Sequence, residues 1–251
     1  MIRKVFSFFL SLIFYIFGFG SILILGSIFI LLTFFIHPRH LQGYIHFGCR
    51  IILLCFGQWL IIEGEPPDQA KGPYLYLPNH ESLLDIFMMG AAIPRHFCIL
   101  VAEYHFKIPI WRTIANRYGG IPIERHDVMR AIGSVNKLEQ AINEGKDAVI
   151  FWEGTRSHDG RLRPAKKGPF HAAKNTGVTL VPCGIDGAFE HMSKTSYLIH
   201  PGIVVWRFGE PITFESNITA GYGHLSVEEI GDWVRTQVGL LTGEFQPHVE
   251  F

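Results

Sequence analysis

The feature that most constrains this chain is a run from Val5 to Ile36 without one charged side chain, dominated by Leu, Ile and Phe. The hydrocarbon core of a bilayer takes roughly 20 apolar residues as a helix, so the run exceeds one perpendicular crossing by about half. It reads either as a single tilted span or as a kinked hairpin that enters and leaves by the same face, with Gly18, Gly20 and Gly26 as bend points. A cleaved signal peptide fits less well. Arg3 and Lys4 supply its positive start, but such a peptide has an apolar core of about 7–15 residues, and no small-x-small cleavage site follows here.

A second apolar stretch, Tyr44 to Ile62, contains His46, Arg50 and Gln58. Arg50 is costly at mid-bilayer, so this piece is expected to lie in the membrane interface or to pack on the folded part. The chain thus divides into an anchor, 1–62, and a folded domain, 63–251. Arg3 and Lys4 before the run and Arg39 after it leave the positive-inside rule with a weak vote on orientation.

The domain is long enough for one core. Tyr74–Leu77, His96–Val101, Ala148–Trp152, Val178–Val181 and Ile203–Phe208 read as strands, the first ended by Pro78. Val128, Ala131, Ile132, Val135, Leu138 and Ile142 recur at helical steps behind a capping Asp127, and Gly145 ends that helix. Ser226 and Glu229 form a capping box for a last helix, with Leu225 and Ile230 at the staple positions and Ile230, Trp233, Val234 and Leu241 as its buried stripe. Strands alternating with helices predict an α/β fold: a mixed, partly parallel sheet flanked by helices, with the anchoring segment in front.

With 22 basic and 22 acidic side chains, net charge points to no nucleic-acid partner. Cys49, Cys55, Cys98 and Cys183 match no zinc spacing, and no cofactor or metal motif is present.

Three short motifs carry chemistry. In Asn79-His80-Glu81-Ser82-Leu83-Leu84-Asp85, a His at a strand end and an Asp just inside a helix can face each other across the turn. The carboxylate would fix the imidazole tautomer and leave the other ring nitrogen free as a base. A zinc protease would need His at Leu84, and a serine hydrolase would need a Gly-x-Ser-x-Gly elbow; neither exists. Phe151-Trp152-Glu153-Gly154-Thr155-Arg156-Ser157 follows a strand; Gly154 allows close backbone approach and Arg156 offers a fork for phosphate oxygens. Gly119 to Arg125 places another Arg after an apolar run. Around them Arg161, Arg163, Lys166, Lys167 and Lys174 form, with Arg156, a basic cluster suited to an anionic membrane surface or a phosphorylated carrier.

In order and spacing these motifs resemble the glycerolipid acyltransferase family, which includes the 1-acyl-glycerol-3-phosphate acyltransferases. The family's block around Val-Pro is matched by Val181 and Pro182, and the resemblance runs from about Pro73 to Pro211. Pro122 stands where the family usually has Phe, Trp152 where it has Pro, and Cys183 and Gly184 where it has aliphatics, all in regions where acceptor recognition is expected. The resemblance implies a base, His80, oriented by Asp85, with Arg125, Glu153, Gly154, Thr155 and Arg156 binding substrate at its phosphate end. It implies acyl-CoA or acyl carrier protein as donor, a lysophospholipid as acceptor and membrane lipid as surroundings, in a bacterial inner membrane or its equivalent with the domain on the cytoplasmic face. The acceptor could be lysophosphatidic acid, another lysophospholipid or a lyso-aminolipid. A non-catalytic lipid-binding protein would need neither His80 nor Asp85, and a hydrolase or transacylase would need the missing serine elbow.

Overall fold

The computed structural model describes residues 2–214 and 221–245. The apolar run forms a continuous helix α1 (Ile2–Leu32). A 3-10 turn at Pro38–His40 leads into α2 (Gln42–Cys55) and strand β1 (Gln58–Glu63). The rest alternates: β2 (Tyr74–Pro78), α3 (Asp85–Ala92), β3 (Phe97–Ala102), a 3-10 turn at Glu103–Lys107, α4 (Pro109–Tyr118), β4 (Gly120–Ile123), α5 (Val128–Asn143) and β5 (Asp147–Val149). Then come α6 (Lys167–Thr176), β6 (Thr179–Asp186), α7 (Ala188–His191), β7 (Gly202–Phe208) and α8 (Val227–Thr242).

The seven strands form one sheet in the order β1-β7-β6-β2-β5-β3-β4. Every neighbouring pair is parallel except β6 and β7. The sheet is mixed and mostly parallel, with helices on both faces. Strand β2 shows why. Tyr74 and Tyr76 enter one core with α2 and α3, while Leu75 and Leu77 enter the other with α5, α6 and α8. A strand apolar on both faces has to be covered on both.

Three expectations shift at the boundaries. The stretch Tyr44–Ile62 is not one element: α2 ends at Cys55, and Gln58–Glu63 pairs with β7 as the edge strand. The strand expected over Ala148–Trp152 stops at Val149, because the chain turns away toward the Glu153 loop. The strand begun at Val178–Val181 runs on to Asp186. The capping predictions match: Asp127 accepts from Arg130 N, and Ser226 and Glu229 form the box. In α8, Val238 is fully buried in the stripe, whereas Leu241 is only partly covered.

Helix α1 lies against the domain along most of its length. Near its start, Ser11 Oγ accepts from Ile199 N at 2.9 Å. Near its end, Arg117 donates to Thr33 Oγ1 at 3.0 Å. In the middle, Tyr44 of α2 donates its hydroxyl to Leu25 O at 2.6 Å. Yet only 11% of the most apolar window of Val5–Leu32 is buried, so its outer face is an uncovered apolar surface.

Candidate active site

Strands β2, β5, β3 and β4 are neighbours and parallel, so their C-terminal ends open on one side. That is where an open α/β sheet gathers a site. His80 follows β2, Phe151 to Arg156 follow β5, Tyr104 and His105 follow β3, and Arg125 follows β4. Residues 76 positions apart in sequence therefore line one pocket of about 90 Å³ containing His80, Arg125, Thr155 and Arg156.

His80 Nδ1 lies 2.7 Å from Asp85 Oδ2. Asp85 is fully buried as the first residue of α3, and the same oxygen accepts the backbone N–H groups of Glu81 at 2.7 Å and Ser82 at 2.9 Å. An anion at a helix start, held by three donors, is fixed in place. It requires the proton on Nδ1 of neutral His80 and leaves Nε2 as the basic nitrogen. Burial lowers the pKa of His80, with Arg125 and Arg156 adding to the effect, while Asp85 opposes it. The net shift is downward, so the ring is neutral and able to take a proton at physiological pH. Phe151 stacks on the ring at 3.9 Å between centroids and 15° between planes, which holds its tilt.

The loops beneath are clamped by Glu153. Its carboxylate accepts from His80 N at 2.8 Å and from Arg163 N at 3.0 Å, and it is buried at 1% exposure. Burial pushes its pKa up to about 7. Ser157 N adds a bond to His80 O at 2.7 Å. The structure thus sets Glu153 behind the pocket, as a support for the His80 backbone, while Thr155 and Arg156 line it. Gly154 sits at φ +74, in the left-handed region, with a Cβ position 3.1 Å from Lys166 Cγ, so it serves the turn itself.

Among the described residues, neither Arg125 nor Arg156 pairs with a carboxylate. Two guanidinium groups face one cavity, and Arg125 has its pKa lowered by burial and by the charge of Arg156. Such a site is short of negative charge and suits an anion able to bridge both forks. The rest of the basic cluster disperses: Lys167 pairs with Glu228, and Lys174 caps Leu225 O.

Among the described residues, no Ser or Cys beside His80 is set up as a nucleophile. Ser82 is buried, with its hydroxyl accepting from Leu84 N at 3.2 Å. Cys98 and Cys183 are buried, which raises their thiol pKa values and disfavours the thiolate. The four departures from the family pattern also lie away from the pocket. Trp152 and Cys183 fill the two cores, Gly184 admits Leu241 of α8, and Pro122 accepts from Ser134 Oγ through its carbonyl. Trp152, Cys183 and Gly184 are packing changes, while Pro122 is exposed, and none of the four lines the pocket.

Sequence reasoning missed Phe151 as a ring support, and Tyr104, His105 and Lys194 as pocket walls. Phe151 lay inside a recognised motif; the other three carry no spacing signal. A second, apolar cavity of about 130 Å³ adjoins the first, sharing Ile86, Ile99, Val101 and Trp111 with it. It lies between α1, α2, α3 and α4 and is lined almost wholly by hydrocarbon.

Residues 60–186 match the model of the family described as Acyltransferase. The chain is 30% identical over 219 residues to 1-acyl-sn-glycerol-3-phosphate acyltransferase of Saccharomyces cerevisiae, covering 85% of this chain and 70% of the relative. It is 29% identical over 179 residues to the protein of the same description from Cocos nucifera, covering 70% and 58%. The fold is shared with the crystal structure of the 1-acyl-sn-glycerophosphate (LPA) acyltransferase PlsC of Thermotoga maritima, at a TM-score of 0.80, 23% identity and 94% coverage of both chains. With matched motifs, matched fold and a His–Asp pair facing a cationic pocket, this chain belongs to the acyltransferase family.

Proposed function

We propose that the enzyme transfers a fatty acyl group from an acyl thioester to the free hydroxyl of 1-acyl-sn-glycerol-3-phosphate, giving phosphatidic acid for phospholipid synthesis. The observation that carries this reading is the pocket itself: a neutral, Asp-oriented His80 beside two unpaired arginines, opening into an apolar cavity. The acceptor's phosphate lies between Arg125 and Arg156, which brings its hydroxyl against His80 Nε2. His80 takes the hydroxyl proton as the oxygen attacks the thioester carbonyl, and Asp85 stabilises the imidazolium that forms. The C–O bond forms, the C–S bond breaks, and the proton on His80 goes to the departing thiolate. The apolar cavity suits the donor's acyl chain, whose thioester end would then meet the acceptor where the two cavities join. The donor is acyl-CoA or acyl carrier protein.

The same reading makes α1 and α2 the membrane anchor and the sheet from β1 onward the catalytic domain, which moves the boundary expected after residue 62 back to the turn between α2 and β1. Helix α1 runs unbroken through Gly18, Gly20 and Gly26, so the hairpin expected within Val5 to Ile36 is not formed, and the ties at Ser11 and Thr33 argue against a free span as well. They are 22 residues apart, about 33 Å of helix, which matches a whole hydrocarbon core. A spanning α1 would carry the domain into the bilayer with it. A helix pair dipping into one leaflet leaves the domain on one face, assigned here to the cytoplasm, where acyl thioesters are made.

The test is transfer of a labelled acyl group by purified protein to a panel of lysolipids. The reading requires that 1-acyl-sn-glycerol-3-phosphate be the best acceptor. Preference for a lyso-aminolipid, which has no phosphate, would contradict it.

A further inference from the structure

The segment from α7 to β7 contributes Lys194 to the wall of the catalytic pocket and is tied at both ends. At one end, Phe189 N donates to Glu81 Oε2 at 3.0 Å, and Asn79 Nδ2 donates to the other oxygen of Glu81 at 3.1 Å. Ser193 forms a bridge with Ser82, inside the motif that carries His80. At the far end, Ile199 N bonds Ser11 Oγ, and Tyr15 donates its hydroxyl to Tyr197 O at 3.0 Å. Met192 and Ile199 are buried beneath. What these ties hold in the pocket wall is Lys194, in the same cavity as His80, Arg125 and Arg156. Its ammonium has no carboxylate partner among the described residues; its one polar contact is His158 Nε2 at 3.3 Å.

We infer that Lys194 is the third cation of the phosphate site, and that it favours acceptors with a phosphomonoester headgroup over those with a phosphodiester. The inference rests on the reading of the pocket as the acceptor's phosphate site. The geometry of the two substrates selects the acceptor. In a lysophosphatidic acid the phosphorus is four bonds from the reacting oxygen, so a cation sharing a cavity with His80 reaches it. The phosphates of an acyl thioester donor lie beyond the whole pantetheine arm. Charge selects the monoester. A phosphomonoester approaches −2 near neutral pH, with three free oxygens for three donors, whereas a diester carries −1. Lysine acts as a point charge on a flexible stem and needs no fixed fork geometry, which suits a position at the exposed wall.

The experiment measures steady-state constants for Lys194→Ala, Lys194→Arg and Arg156→Ala in mixed micelles. The acceptors are 1-acyl-sn-glycerol-3-phosphate and a lysophosphatidylglycerol. Lys194 is exposed, so its removal leaves the packing intact. Lys194→Ala is expected to raise the KM for the phosphomonoester about tenfold or more, the scale of one lost charge-assisted bond. The donor KM stays put, the preference for monoester over diester falls, and Lys194→Arg recovers most of the loss. An unchanged acceptor KM, or a rise in the donor KM, overturns the inference. If that happens while Arg156→Ala still raises the acceptor KM, the phosphate site stands and only the role of Lys194 is lost. If Arg156→Ala also leaves it unchanged, the reading of the pocket falls as well.

Discussion

Glu81 sits between the catalytic pair and the pocket wall, and its ionisation is the clearest residue-scale consequence of the structure. Burial, then the nearby charge of Asp85, pushes its carboxyl up to about 9 from an unfolded value of about 4.5. A group whose folded pKa is raised stabilises the protein fully below its unfolded pKa and loses that contribution as pH rises through the folded one. The melting temperature in detergent is therefore expected to fall between about pH 5 and pH 9, with Glu153 adding a part that is complete by its own folded value of about 7. Glu81→Gln, which keeps a neutral acceptor for Phe189 N, should flatten that decline. An equal slope in wild type and variant counts against the assignment. The sequence singled out His80 and Asp85 because a His and an Asp across a strand–helix turn have a chemical reason to meet. It gave no such reason for Glu81, whose long-range partner, the backbone of Phe189, reaches it only once β2 and β6 lie side by side.

At the scale of elements, glycine decides how closely α8 approaches the sheet. A Cβ on Gly184 would lie 2.6 Å from Leu241 Cβ and 3.2 Å from its backbone carbon. Gly184→Val should destabilise the protein by about 1–3 kcal/mol through overpacking, read as a lowered denaturation midpoint, with the KM for both substrates unchanged. A neutral stability effect would show that α8 can shift freely. The elements legible in the sequence were those with a strong period or a cap, such as α5 behind Asp127 and α8 behind its box. Strand β1 was hidden because Trp59 and Ile61, on its exposed face, are as apolar as the buried Leu60, so no alternation marks it. Helix α6 was hidden because Gly168 and Pro169 look like breakers. They fall in its first turn, where a missing N–H costs nothing. Helix α4 also starts on a Pro, Pro109, and its stripe of Trp111, Ile114, Ala115 and Tyr118, legible at helical spacing, faces the apolar cavity.

At the scale of the whole molecule, α1 is docked on the domain, and the proposed anchor would set the pocket at the membrane, where both the acceptor and the product reside. Alkaline carbonate should leave the protein in the membrane fraction and detergent should release it, since each central Leu, Ile or Phe favours insertion by about 0.3–0.6 kcal/mol. Recovery in the carbonate supernatant would refute the anchor. The central claim is that His80 acts as a general base for direct transfer between two bound substrates. It is tested most directly by the turnover of purified His80→Ala with labelled acyl thioester and 1-acyl-sn-glycerol-3-phosphate. The kcat is expected to fall by at least ~10²-fold, the low end for a lost general base, with no label retained on the protein. A variant that keeps wild-type turnover, or that accumulates an acyl group on a Ser or Cys, would contradict it.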